Sequence, residues 1–312
     1  MRLKNFCIAS AAILLLTATV LISAAQATNP EPAQTGLSSN SSWKDVEQAM
    51  GRSGTSTPDG TFKFSMPRSD LNVKIENVTV APTLALGSWV AFKNEGNTSM
   101  LMGDLVLTLD EVSPVMQKLQ ERGIEQTALH NHLLGESPRV MYMHISGHGD
   151  PVFIARAINE SLALTKTPIN ASISAQSINN SSLDTNMLNE TIGAKGKYSG
   201  GIYQFSIPRN ETITDAGMEV PSSMGVATGI NFQPLGNGNV AIAGDFVLTA
   251  DEVNPVIKTM GNNNISVTAV HNHMIYEEPR LFFLHFWATG DQNKLANGLK
   301  EALDKTNSSQ PV

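Results

Sequence analysis

The sequence has one cysteine, Cys7, and that residue precedes a long apolar run at the N-terminus. A chain processed behind that run has no disulfide and no thiolate ligand. Positive charge is also scarce. Lys and Arg number 21 against 28 Asp and Glu, for a formal net charge of −7. No basic field exists to attract phosphate, and nucleic acid is excluded as a partner. Only 6% of residues are aromatic, yet 41% are hydrophobic, which is a globular composition. A length of 312 residues suits two domains of ordinary size, each with its own core.

The N-terminus reads MRLKNFCIASAAILLLTATVLISAAQATNP. Arg2 and Lys4 ahead of the apolar run, followed by the small residues AQA, have the layout of a secretory signal cleaved after Ala27. The run from Phe6 to about Ala25 is long enough to span a bilayer, so retention as an anchor is the alternative, and membrane contact is expected only in that case. Cleavage predicts a secreted or extracellular protein. N-x-[ST] sequons, those at Asn40, Asn77, Asn97, Asn159, Asn170, Asn189, Asn210, Asn264 and Asn307 among them, suit a glycosylated one, although an Asn- and Ser-rich chain also makes such triplets by chance.

A repeat organises the rest. Residues 103–150 align without a gap on 244–291 at an offset of 141, with 22 of 48 positions identical, and the same offset pairs FSMPR at 64–68 with FSIPR at 205–209. The chain divides into a signal at 1–27, a polar leader at 28–42, a first unit at 43–166, a Ser/Asn-rich linker at 167–185 and a second unit at 186–308.

Within each unit GDLVLT or GDFVLT is a strand ending at a Thr with Glu three residues on, so Thr108 with Glu111 and Thr249 with Glu252 form capping boxes. Asp110 and Asp251 add negative charge at the helix start. Pro114 and Pro255 follow the N-cap residues Ser113 and Asn254, which predicts a tight turn and a helix beginning at the proline. Two β-rich runs separated by a Pro-containing loop come next, and an amphipathic helix closes the unit, capped by Asp150 or Asp291. The predicted fold class is α+β: a tandem duplication in which each unit is an antiparallel sheet covered by helices.

Six of the seven histidines fall on matched positions of the two copies. Residues two apart on a strand share a face, so His130 and His132 look the same way, as do His271 and His273. A hairpin centred on Pro138 sets His132 opposite His144 and brings in Glu136 from the loop. The second set is His271, His273, Glu277 and His285. Three neutral imidazoles and a carboxylate suit Zn²⁺, Mn²⁺ or Fe²⁺. The competing reading is that they are structural histidines copied by duplication. Asp104 and Asp245 either orient imidazole N–H groups or simply end a strand. Arg139 and Arg280 bind an anionic group of a substrate or pair with Glu136 and Glu277. Arg68 and Arg209 read as strand ends. Met100, Met102, Met141 and Met143 become Ala241, Ala243, Phe282 and Leu284 in the second copy, which is core behaviour and not a copper site.

The duplicated GD(L/F)VLT, DEV and HNH…E.PR…H…GD motifs resemble the LppY/LpqO family of exported proteins, over most of both units. The resemblance implies export and brings no activity. The namesakes are lipoproteins, whereas this chain has no cysteine at the end of its signal. H-x-H-x3-E is similar to the first half of the cupin metal motif, but the last histidine follows too soon and the helices do not suit a cupin barrel. An HNH nuclease is excluded by the missing cationic groove. Two function classes remain: a non-catalytic module that binds metal or a small-molecule or cell-surface ligand, or uses the metal to hold the two repeats together, and a metal-dependent extracellular enzyme acting on an anionic small substrate.

Overall fold

The computed structural model describes residues 42–169 and 183–309. The expected signal, all of the leader except Ser42, and residues 170–182 of the linker lie outside the described residues. So do Cys7 and the sequons at Asn40 and Asn170. Of the remaining sequons, Asn77, Asn97, Asn210, Asn264 and Asn307 are exposed, while Asn159 and Asn189 are half-buried on helices. Among the described residues no helix is long and apolar enough to cross a membrane.

Each repeat is a six-stranded antiparallel sheet with helices on one face, and the two sheets share one strand order. In the first, β1 (Thr55–Ser56), β2 (Phe62–Pro67), β5 (Gly87–Glu95), β6 (Thr98–Thr108), β9 (Val140–Gly149) and β7 (Glu125–His130) lie side by side in that order. In the second the corresponding order is β10 (Lys197–Ser199), β11 (Ile202–Pro208), β14 (Ala227–Gly236), β15 (Asn239–Leu248), β18 (Phe282–Asp291) and β16 (Ser266–His271).

Period-2 alternation decides which side chains meet the helices. Phe62, Phe64, Met66, Val90, Phe92, Leu101, Leu105, Met143 and Ile145 form one face. They pack under α1 (Trp43–Met50), α3 (Leu109–Glu121) and α4 (Pro151–Leu162). The second sheet does the same under α5 (Thr185–Ile192), α6 (Ala250–Asn262) and α7 (Gln292–Leu303). The capping boxes are present: Glu111 and Glu252 accept the backbone N–H of Thr108 and Thr249 at 2.9 and 2.7 Å. Asp150 and Asp291 cap α4 and α7.

One expectation is corrected. α3 and α6 do not begin at the prolines; each runs unbroken through Pro114 or Pro255 from the capping box. Proline removes one N–H from the second turn, whereas the box is reinforced from outside the helix. Arg68 is fully buried and holds Glu111 at 2.7 and 3.2 Å, Asp70 at 2.8 Å and the Val106 carbonyl at 2.7 Å. Arg209 repeats this with Glu252, Glu211 and Val247. These arginines do end strands, and they also clamp sheet to helix.

The other face of each sheet meets the other repeat. Val73, Ile75, Val80 and Leu84 sit on the segment that carries β3 (Lys74–Ile75), β4 (Val78–Thr79) and α2 (Pro82–Ala85). They cluster with Ile202, Ala241 and Ala243 of the second sheet. Reciprocally, Ile213, Val220, Met224 and Val226 cluster with Ala91, Met100 and Met102 of the first. Polar tethers follow the same exchange. Lys63 donates to Ser223 O at 2.9 Å and Gln204 to Thr83 O at 3.0 Å, while Lys93 donates to Glu219 O at 2.9 Å and Gln233 to Thr79 O at 2.8 Å. The 141-residue offset slips to 140 across this stretch, because Val90 pairs with Phe64 but Ile230 with Phe205. A bulge between Pro234 and Gly236 restores it.

Candidate metal centre

The faces that meet between the repeats carry the histidines. Residues directly opposite in an antiparallel pair project to one side, and β6 pairs Asp104 with His144 while β7 pairs Ala128 with the same His144 and His130 with Tyr142. Asp104, His130, Tyr142 and His144 therefore project together, and Asp245, His271, Phe283 and His285 do so in the second sheet. The glycine before each aspartate is needed for close approach. A Cβ at Gly103 would lie 2.8 Å from Trp89 O, and one at Gly244 only 2.1 Å from Gly229 O.

The hairpin register differs from the expected one by four residues: Ala128, not His132, lies opposite His144. The reason is the loop. Glu136–Ser137 forms β8 and pairs with Lys74–Ile75, so the hairpin closes early and the bend at Asn131–Gly135 carries His132 over the sheet. In the second copy, β17 (Glu277–Glu278) pairs with β12 (Thr214–Asp215). The shift is even, so side-chain parity survives it.

All six imidazoles form one cluster in which the copies alternate. His130 stacks on His271 with centroids 3.5 Å apart, His132 on His285 at 3.6 Å and His144 on His273 at 3.7 Å. Exchanging the repeats maps the first pair onto itself and the other two onto each other, as a pseudo-twofold axis through His130 and His271 requires. Tyr142 backs His132 at 3.3 Å and Phe283 backs His273 at 3.4 Å. Thr127 and Thr268, at the bulges of β7 and β16, lock the exchange by donating to the carbonyls of His273 and His132, both at 2.5 Å.

Three of the six rings share one polarity. Nδ1 of His130, His271 and His285 lies 3.3, 3.0 and 3.0 Å from the carbonyls of Asn131, Asn272 and Gly244. A proton on Nδ1 makes those bonds and leaves the Nε2 lone pair free. Nε2 of all six histidines is buried with no hydrogen-bond partner, as is Oδ1 of Asp104 and of Asp245. Four groups could hold a metal ion, each with ligand atoms within 4.8 Å of one another: Asp104, His132 and His144; Asp245, His271, His273 and His285; His130, His132 and His285; and His130, His144, His271 and His273.

Burial dominates the protonation of these groups. It drives His130 down to about 3, with His271 repelling charge on it, and His271 down to about 4. His132, His144, His273 and His285 fall well below 6.5 for the same reason. Burial raises Asp104 to about 7, partly opposed by Lys63, and holds Asp245 well above the usual carboxylate range. Imidazoles with free Nε2 lone pairs beside two buried carboxylates are a donor set that could hold a cation.

The loop carboxylates expected as ligands, Glu136 and Glu277, belong to none of these groups. Glu136 is buried with Oε1 3.6 Å from Arg139, and Glu277 takes Arg280 at 3.1 Å and the Leu281 N–H at 3.2 Å. Arg139 and Arg280, expected to bind substrate, have half-exposed side chains in these ion pairs. The carboxylates beside the imidazoles are instead those of Asp104, 3.7 Å from His132 and 3.9 Å from His144, and Asp245, 3.4 Å from His273 and 3.8 Å from His285.

A cavity of about 360 Å³ adjoins the cluster, lined by Asp104, His132, His144 and their counterparts Asp245, His273 and His285. Its wall also includes Lys63, whose ammonium lies 4.1 Å from the centroid of the Trp89 ring. Burial lowers this amine to about 8, with help from Lys197 and opposition from Asp59 and Asp104. Repeat matching does not mark Lys63, because its counterpart is Gln204.

The chain matches the profile of a family described as Domain of Unknown Function (DUF1259) twice, over residues 44–164 and 186–305, and it belongs to that family. A comparison with curated proteins gives no significant match. Among solved structures, a trimeric bacterial microcompartment shell protein, PduB, is 12% identical, covering 81% of this chain and 89% of its own at a TM-score of 0.20. EtuB from Clostridium kluyveri is 9% identical over the same shares at 0.19. Scores this low carry no argument about this chain.

Proposed function

We propose that this two-copy member of the DUF1259 family is an exported protein that binds a divalent transition metal between its repeats. The observation that carries the reading is the set of six buried Nε2 atoms without hydrogen-bond partners, gathered beside two buried aspartates. Leaving so many buried acceptors unpaired is costly, and a cation satisfies them together. Imidazole and carboxylate donors suit Zn²⁺, Mn²⁺ or Fe²⁺. The ligands would come from His130, His132, His144, His271, His273, His285, Asp104 and Asp245. Tyr142, Phe283 and the two bulge threonines hold the rings in place.

The adjoining cavity favours a site that a second molecule reaches, so the reading extends to a metal-dependent enzyme as well as a binding module. A bound ion would supply Lewis acidity there.

Elemental analysis of protein purified from its native host, without an affinity tag, tests the metal. At least one equivalent of Zn, Mn or Fe is expected, with a melting temperature that falls on chelation. Metal-free protein whose melting ignores both chelator and added metal makes the histidines structural. N-terminal sequencing tests export, with a start near Thr28 expected and a start at Met1 favouring the anchor.

A further inference from the structure

We infer that the cavity beside the histidine cluster binds a small organic carboxylate, held by the metal and by the ammonium of Lys63. The inference rests on the metal reading above and adds the ligand class. Three observations carry it.

The first is charge. Among the described residues lining the cavity, the Lys or Arg side chain is Lys63 and the carboxylates are Asp104 and Asp245. A divalent ion held beside the two aspartates would stand on the same cavity as the Lys63 ammonium, which faces the Trp89 ring and donates to Ser223 O. Two cationic groups on one cavity wall favour an anion between them. Lys63 has capacity for it. Its Nζ carries three donors and the structure uses one, to Ser223 O.

The second is asymmetry. Across the pseudo-twofold axis Lys63 is matched by Gln204, since both donate to equivalent carbonyls of the opposite repeat. The cation is therefore on one side. Trp89 pairs with Asp104, and the residue paired with Asp245 is Gly229. A Cβ at Gly229 would meet nothing within 4 Å. Where the first repeat has an indole, the second has open space.

The third is lining. Trp89, Leu133, Tyr142 and Phe286 border the cavity together with Ser65 and Ser206. The lining is mostly polar with Trp89 as an aromatic surface, which suits a small polar carboxylate, and about 360 Å³ admits a small molecule. The carboxylate is placed between the metal and Lys63, with the body over Gly229.

The test uses the full chain loaded with Co²⁺, whose visible absorption reports its ligands. Benzoate is titrated in, with benzamide as the uncharged control. Saturable change with benzoate, and at least roughly tenfold weaker change with benzamide, is expected. Lys63→Gln, which installs the residue of the other repeat, is expected to weaken benzoate at least about tenfold at unchanged cobalt content. Gly229→Leu fills the open side and is expected to abolish the response while cobalt binds normally. It also keeps the proposal testable if Lys63→Gln folds poorly. Full cobalt with no benzoate response, equal response to benzamide, or wild-type benzoate affinity in either variant overturns the carboxylate and leaves the metal standing. A chain that takes up no cobalt overturns both.

Discussion

His130 and His271, the same residue of the two copies, lie face to face with ring centroids 3.5 Å apart. Three of the four groups of candidate ligands contain His130 or His271, and two of those three draw ligands from both repeats. A substitution at this position therefore acts on both repeats. His271→Ala is expected to weaken metal binding beyond the share of one repeat, read as metal per chain and as affinity in a competitive chelator titration. A clean fall to half the wild-type content, with the remaining ion bound at wild-type affinity, would show two independent sites instead.

The choice between Asp and Glu as the carboxylate can be separated experimentally. Asp104→Asn or Asp245→Asn is expected to weaken metal binding at least about tenfold, since the carboxylate either binds the ion or orients its imidazoles. Glu136→Gln is expected to leave metal affinity near wild type, because that carboxylate faces Arg139. The reverse ranking in a chelator titration would return the loop glutamates to the site.

Arg68 has no exposed surface and bridges Glu111, Asp70 and the Val106 carbonyl. Arg68→Met leaves Glu111 buried without its cation and is expected to cost about 3–5 kcal/mol in urea unfolding. Arg209→Met is expected to cost a similar amount through Glu252 and Glu211. Losses under about 1 kcal/mol would mean that the clamps contribute little net stability.

The same clamps set a pH dependence. Burial on its own would raise Glu111 and Glu252, but hydrogen bonds from Arg68 or Arg209 and from backbone N–H groups outweigh it and hold both below the ordinary 4.5. A depressed carboxylate contributes stability that is complete above its unfolded value and lost as pH falls through its folded one. The stability gap between wild type and Arg68→Met is therefore expected to be constant from pH 7 to about 5 and to shrink below about 4.5, read from urea unfolding at each pH. A gap that persists unchanged to pH 3 would assign the effect of Arg68 to packing.

The duplication, the antiparallel sheets, the capping boxes and the matched histidines were legible in the sequence because each is local: a fixed offset, a period of two, or a three-residue spacing. Even a four-residue error in the hairpin register kept His130, His132 and His144 together, since the shift was even. Glu136 stood at the right spacing for a ligand, but its strand was recruited by Lys74–Ile75, more than sixty positions earlier in the chain. Asp104 reached the imidazoles through pairing with His144, forty residues away. What only the tertiary structure decided was how the copies meet. The sequence shows two sets of three histidines and permits two separate sites. Each sheet has one face covered by its own helices and needs a cover for the other, and the other repeat supplies it through the segments at 73–86 and 213–226. Burying those faces against each other stacks the histidines of one copy on those of the other, and it leaves the cavity where Gly229 stands in place of Trp89. No local pattern encodes such a contact, because it depends on surfaces that exist only after each sheet has formed.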